Sequence, residues 1–182
     1  MKDIHGKNQA SLDPLRSAQY DWDENILRRT LDDLVASDAV LHLSHPFGDM
    51  IGPEEFYQQA LAVLKMAWPD VERRDWIVMA GEDEHGASWV GCGGHYVGTF
   101  IAPLLDIPPT GHLVHMRYHD FYRFEDGKVV EYQALWDLPE VMIQAGAWPM
   151  APSLGQEFCI PGPASGDGLI RPARDEVQIR AS

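Results

Sequence analysis

The sequence predicts an α+β fold in which helices come first and a strongly curved antiparallel sheet is laid over them. Apolar residues recur at helical spacing between Asp23 and Ala67, and β-rich runs follow from Val71 to Trp136. Two of those runs are separated by Asp126-Gly127, a strong hairpin signal because the turn needs positive φ where glycine costs nothing. An earlier run, Ala87 to Phe100, carries Gly91, Gly93, Gly94 and Gly98. So many glycines in one strand imply bulges and curvature, or a wall where a ligand approaches the backbone. A curved sheet over helices makes a cone whose mouth is a natural apolar pocket.

Taken in order, residues 1–22 are polar, contain Pro14 and show weak periodicity, which reads as an N-terminal arm with about one helical turn. From Asp23, Leu27, Leu31, Leu34 and Val35 fall on one helical face, opposite Arg28, Arg29, Asp32 and Asp33, and this helix should end near Ser37. A short strand, Val40 to Leu43, leads into a loop. Gly52-Pro53-Glu54-Glu55 starts a second helix with its acids against the positive end of the dipole, and Phe56, Ala60, Leu64 and Ala67 mark its buried face. Strands Val71 to Ala80 and Ala87 to Phe100 flank the acidic turn Gly81 to Gly86. The apolar, Pro-rich link Ile101 to Pro109 is expected to border the pocket and govern access to it. A long strand from His112 to Phe124, the turn, a strand from Lys128 to Trp136, and a short helix opened by Asp137-Leu138-Pro139 complete a domain over residues 23–146. Pro and Gly then recur through 147–182, expected to form an irregular extension.

Composition narrows the function. With 182 residues, 45 % of them apolar, the chain can bury one sizeable core. A net charge of −14, from 28 acids against 14 bases, repels phosphate backbones, and no basic stripe compensates, so nucleic acid is not an expected partner. Cys92 and Cys159 lack metal-ligand spacing and fit reduced thiols. No apolar run has membrane-spanning length, and the start MKDIHGKNQAS lacks the apolar core of a signal peptide, so a soluble cytoplasmic protein is expected.

The residues that call for explanation are polar ones inside the hairpin strands. His115, Arg117, His119 and Arg123 share one face of the first strand; His112, Met116, Tyr118, Asp120 and Tyr122 share the other. Both faces mix polar and aromatic groups, so alternation leaves open which one lines the pocket. Tyr96 and His95 come from the Gly-rich strand, Trp136 and Asp137 from the end of the hairpin, and His45 from the first loop. Each has a structural alternative. Arg117 with Asp120 or Glu131 can be a cross-strand ion pair. Asp137 can be only the N-cap of its helix, and His45 only a loop anchor. No HxH or HExxH pattern points to a metal, no glycine-rich loop opens a helix to cradle phosphate, and neither Ser44 nor Cys92 has the setting of an activated nucleophile. A pocket with a few His, Tyr and carboxylate groups suits proton transfer without metal or nucleotide.

The stretch PPTGHLVHMRYHDFYRFEDGKVVEYQALWDLPEVMIQAG resembles the SnoaL-like polyketide cyclases. Their pattern is a PTG loop, a long strand, a DGK-[IV]-x-E turn and strand, and an aspartate followed by a short helix ending Q-x-G. The earlier HPFGDMIGPEEF, WPDVERR and WVGCGGHYVGTF also look like that family, so the resemblance spans roughly Asp23 to Gly146. It implies the nuclear-transport-factor-like cone, often dimeric through the open sheet face. It also implies an intramolecular aldol-type ring closure on a polyketide ester, without cofactor, by a cavity aspartate acting as general acid and base. Asp137 matches the family's aspartate; His119 is the favoured partner, with His115 and His45 behind it. On that reading Asp137 removes a proton α to a carbonyl and His119 or Arg117 stabilises the developing oxyanion, while His45, Tyr96, His115, Arg117 and Trp136 line the site of a small apolar or polyketide-like molecule. Since the superfamily also holds isomerases, dehydratases, hydrolases and non-catalytic ligand-binding modules, those remain alternatives.

Overall fold

The structure, a computed structural model, describes residues 4–151 and Gly155. The expected extension over 147–182 therefore lies largely outside the described residues. Helices α1 (Ile4–Asp21) and α2 (Glu24–Leu34) lead into strand β1 (Val35–Leu43) and the short strand β2 (Gly48–Ile51). Helix α3 (Gly52–Phe56) runs through a π-helical turn, Tyr57–Leu61, into α4 (Ala62–Ala67). Strands β3 (Glu72–Glu82), β4 (Ser88–Thr99), β5 (Leu113–Glu125) and β6 (Lys128–Trp136) follow, and α5 (Leu138–Gln144) ends the domain.

The strands make one six-stranded sheet in the order β2-β1-β6-β5-β4-β3. The sheet is mixed, not purely antiparallel, because β1 lies parallel to β6 while the other pairs are antiparallel. A long crossover through α3, α4 and four strands separates β1 from β6, so hairpin rules give no handle on that pairing. Register shifts at Val35/Val40, Asp75/Ile77 and Arg123/Phe124 mark the places where the sheet bends.

Residues 4–21 form an 18-residue helix where an arm was expected. Leu12, Leu15 and Ala18 are buried against β3 and α2, but Asn8 and Gln19 are buried on it too, and Pro14 interrupts its hydrogen-bond ladder. Polar residues on the covered face blur the apolar stripe that would otherwise announce the helix. Helix α2 is plainer: the Asp23 side chain accepts from the Ile26 N–H at 3.0 Å, and Leu27, Leu31 and Leu34 are buried. Such a cap contributes about 1 kcal/mol and each buried leucine about 1.5–3 kcal/mol. The helix stops at Leu34 rather than near Ser37, and β1 begins at once, because β-branched Val35 is already extended and pairs with Val129.

The Asp126-Gly127 turn has φ of 48° and 81° at its two residues, the type I′ geometry that matches strand twist. The Ile101–Pro109 link is pinned to the end of α4 by the Ile101 and Ala102 N–H groups on the Ala67 carbonyl. It buries Leu104 and Ile107, while Ile101 and Leu105 stay exposed. The main core lies between the helices and the sheet face that carries the even-numbered residues of β4 and β5.

Candidate functional site

Alternation in β5 divides the polar residues cleanly. Val114, Met116, Tyr118, Asp120, Tyr122 and Phe124 are buried under the helices, whereas His115, Arg117, His119 and Arg123 are partly exposed on the opposite, open face. The expected site residues are therefore not one group. Tyr96 and Trp136 lie on the covered face with their rings 5.3 Å apart, and His45 is exposed in the loop after β1. His115, Arg117, His119 and Asp137 share the open face.

On that open face Asp137 does the capping foreseen for it and also holds an ion pair that was not foreseen. Its Oδ1 accepts from the Glu140 N–H at 3.2 Å, capping α5, and its Oδ2 accepts from Arg117 Nη2 at 2.9 Å. The pair is only partly shielded, with side-chain exposures of 40 % for Arg117 and 25 % for Asp137, which keeps its strength near that of surface ion pairs. Neither foreseen partner of Arg117 is the real one: Asp120 points to the other face, and Glu131 is taken by Arg123 at 2.8 Å. The His115 ring stands 5.3 Å from that of His95 and its Nε2 lies 3.8 Å from Glu140. Trp76 Nε1 donates to His95 Nδ1 at 3.0 Å, and the Trp76 ring meets His119 edge to face at 6.2 Å. No group of three His, Cys, Asp or Glu side chains among the described residues is disposed to hold a metal ion.

The covered face holds a set of charges that the sequence reading did not single out. Arg73 of β3 is fully buried. Its Nε donates to Asp75 at 3.0 Å, and its Nη1 donates to Asp120 at 2.7 Å and to the Gln19 side-chain carbonyl at 2.9 Å. The Tyr122 and Tyr96 hydroxyls lie 3.3 and 3.5 Å from the same Nη1, and the guanidinium stacks 4.2 Å over the Tyr118 ring. Asp75 also receives Arg16 and a short hydrogen bond from Tyr118. The available signal was the alternation Arg73-x-Asp75 in one strand and Tyr118-x-Asp120-x-Tyr122 in another: ionisable residues at core positions of a strand rarely occur without partners.

These charges set one another's ionisation. Burial pushes Asp75 up, but the cations of Arg73 and Arg16 outweigh it and hold its carboxyl below the usual range. Asp120 is buried more deeply; there burial wins over the pull of Arg73, and its pKa is raised. Burial disfavours the Arg73 cation, but the surrounding phenol oxygens and Asp75 keep it charged. Burial likewise raises Tyr96, Tyr118, Tyr122 and Tyr132, which stay neutral phenols. The Cys92 thiol on the same face is pushed up to about 12 by burial, so it is no nucleophile. Four buried polar atoms here make no well-formed hydrogen bond: Arg73 Nη2, Asp120 Oδ1, Tyr132 Oη and Trp136 Nε1. Tyr132 does approach Asp120 closely enough to draw its pKa down somewhat.

The family model for SnoaL-like polyketide cyclases matches residues 19–145. No curated protein matches the chain. Among solved structures, AclR from Streptomyces galilaeus is 20 % identical, with a TM-score of 0.64 over 82 % of this chain and 87 % of its own. A SnoaL-like protein from Jannaschia sp. CCS1 is 22 % identical, with a TM-score of 0.64 over 84 % of this chain and 98 % of its own. An NTF2-like protein from Burkholderia thailandensis E264 is 19 % identical, with a TM-score of 0.58 over 76 % and 96 % of the two chains. At these identities the structures speak for the fold: an NTF2-like α+β cone of helices packed on a curved, unclosed sheet.

Proposed function

Because the chain belongs to the SnoaL-like polyketide cyclase family, we propose that it catalyses an intramolecular aldol-type ring closure on a small polyketide-like ester, by acid–base chemistry of an aspartate and without cofactor. The supporting observation is an arginine-held carboxylate on each face of β5, Asp137 with Arg117 and Asp120 with Arg73. Ring closure needs a base for the proton α to one carbonyl and a cation or donor for the oxygen that gains charge, and each pair offers both.

Asp137 is the aspartate that the family pattern marks, with Arg117 beside it and His119 farther along the same face. Its competing roles, cap and ion pair, are both occupied, so one substitution separates them. Asp137→Asn keeps the cap, since asparagine serves there nearly as well, and removes the charge. As the base, Asp137 is worth about 10²–10⁴ in rate, and the variant loses that much turnover of a polyketide-like ester while its thermal unfolding barely changes. As a structural residue it is dispensable for turnover, and the carboxylate of the covered face carries the reaction. Failure of the unaltered protein to close a ring on any such ester would overturn the cyclase reading itself. The partner of this chemistry is a small molecule. The open sheet face, with exposed Phe121 and Leu135, is proposed to join two copies as a homodimer.

A further inference from the structure

We propose that Trp76 and His95 form an acid-sensitive latch on the open face of the sheet: neutral His95 holds the Trp76 indole across that face, and protonation of His95 releases it. The latch does not depend on the ring-closure reading and stands or falls separately from it.

Trp76 is the extra residue of a bulge in β3. Asp75 pairs with Gly94 and Ile77 with Gly93, the adjacent residue of β4, so Trp76 falls between two register partners. A bulge re-aims the side chain and takes its residue out of the ladder, which leaves the indole held by what it touches. Its Nε1–H donates to His95 Nδ1 at 3.0 Å, with the two rings 5.0 Å apart, and its ring meets His119 edge to face at 6.2 Å. His95 lies opposite Arg117 and so belongs to the open face, yet it is only 3 % exposed. The indole lies against it on one side and the His115 ring, 5.3 Å away, on another.

Indole can only donate, so this contact requires a bare lone pair on Nδ1 and places the single imidazole proton on Nε2. A second proton makes both ring nitrogens donors and sets N–H against N–H. The charged and titratable neighbours come from three elements. Across the ladder His95 faces Arg74 of β3 and Arg117 of β5. Arg74 is held by Glu72 at 2.6 Å and Arg117 by Asp137 at 2.9 Å. His115 and His119 of β5 flank the pair, and Glu140 of α5 lies 3.8 Å from His115 Nε2. None of these groups restores an acceptor at Nδ1 once the proton is there. Imidazoles take up their proton between about pH 8 and pH 5, so mild acid is the trigger. Release of the indole opens His95 and His119 to solvent beside the Arg117–Asp137 pair.

The test uses the full chain labelled with 15N in tryptophan and histidine, followed by NMR from about pH 8 to about pH 5. Trp76→Phe assigns the Trp76 indole signal among the six tryptophans. At the alkaline end that N–H is expected to be protected from exchange with water. At the acid end its protection, relative to free indole at the same pH, is expected to fall about 2–12-fold, the worth of one neutral hydrogen bond. His95→Asn sets an amide oxygen near the place of Nδ1 and does not titrate, so there the Trp76 signal should hold steady across the range. Circular dichroism verifies that the variant is folded. If it is not, the His95 ring nitrogens of the unaltered protein decide, because Nδ1 must gain its proton with the same midpoint at which the indole loses protection. A Trp76 signal that does not respond, that responds equally in His95→Asn, or that follows a different midpoint from Nδ1 overturns the latch. A midpoint that moves with protein concentration also overturns it, by assigning the change to the pairing of two copies.

Discussion

Replacing Gly94 by alanine tests how tightly the sheet is built around the covered charges. Gly94 of β4 sits opposite Tyr118 of β5 and Asp75 of β3. A Cβ there would stand 2.7 Å from Tyr118 Cζ and closer still to the Tyr118 hydroxyl and the Arg74 carbonyl oxygen. Neither obstacle yields cheaply. The carbonyl is sheet backbone, and the Tyr118 ring is fixed by its hydroxyl on Asp75 and by the Arg73 guanidinium over its face. Overpacking a core costs about 1–3 kcal/mol, and two immovable contacts put Gly94→Ala at the top of that range, about 3 kcal/mol. For a chain of this size each kcal/mol lowers Tm by about 2–4 °C, so a loss of about 6–12 °C is expected. Gly81→Ala in β3 is the control, because nothing lies within 4 Å of its added methyl, and it should stay within about 0.5 kcal/mol of the unaltered protein. Urea unfolding of both variants measures the difference, with the midpoint falling and the slope unchanged for Gly94→Ala. If Gly94→Ala is as stable as Gly81→Ala, the claim that Tyr118 is locked in place is wrong.

Acid should act on the same cluster through two carboxyl groups whose pKa values are shifted in opposite directions. Asp75, held below its ordinary pKa, contributes stability present above its unfolded pKa and lost as pH falls through its folded one; Asp120, held above, contributes in the other direction, its stabilisation fading as pH rises through its raised folded pKa. Asp75→Asn is therefore expected to cost about 3 kcal/mol at pH 7 and clearly less near pH 2, and an equal gap in urea midpoints at both would contradict the assignment. On the open face, Met79 and Phe121 both pair across to Gly91, and Leu135 lies opposite His119, so the exposed apolar side chains form one patch. Leu135→Glu should convert a dimer into a monomer in sedimentation experiments, and a monomeric unaltered protein at micromolar concentration would refute the interface.

The sequence by itself determined the order of elements from α2 onward apart from the short strand β2, because their signals are local. The Asp23 cap, the leucines of α2, the Gly52-Pro53 helix start, the Asp126-Gly127 turn and the Asp137 cap each depend on neighbours within a few residues. Family membership was legible for the same reason, since its motifs are contiguous. Helix α1 was not, because Asn8 and Gln19 put polar groups on its buried face, and Gln19 answers to Arg73 and Tyr96 of the sheet rather than to its own helix.

Only the tertiary structure decided which partner each charge has. Alternation told which residues share a face of β5, but not which face the helices cover, so Tyr118, Asp120 and Tyr122 could not be told from His115, Arg117 and His119 as pocket residues. Ion pairs across a sheet depend on strand order. Arg73 and Asp120 are 47 residues apart and lie on β3 and β5 with β4 between them, an adjacency set by the strand order that no local pattern encodes. A buried charge is tolerated only where the fold brings its counter-charge, so the chemistry at the centre of this protein is a property of the folded sheet and not of any one stretch of chain.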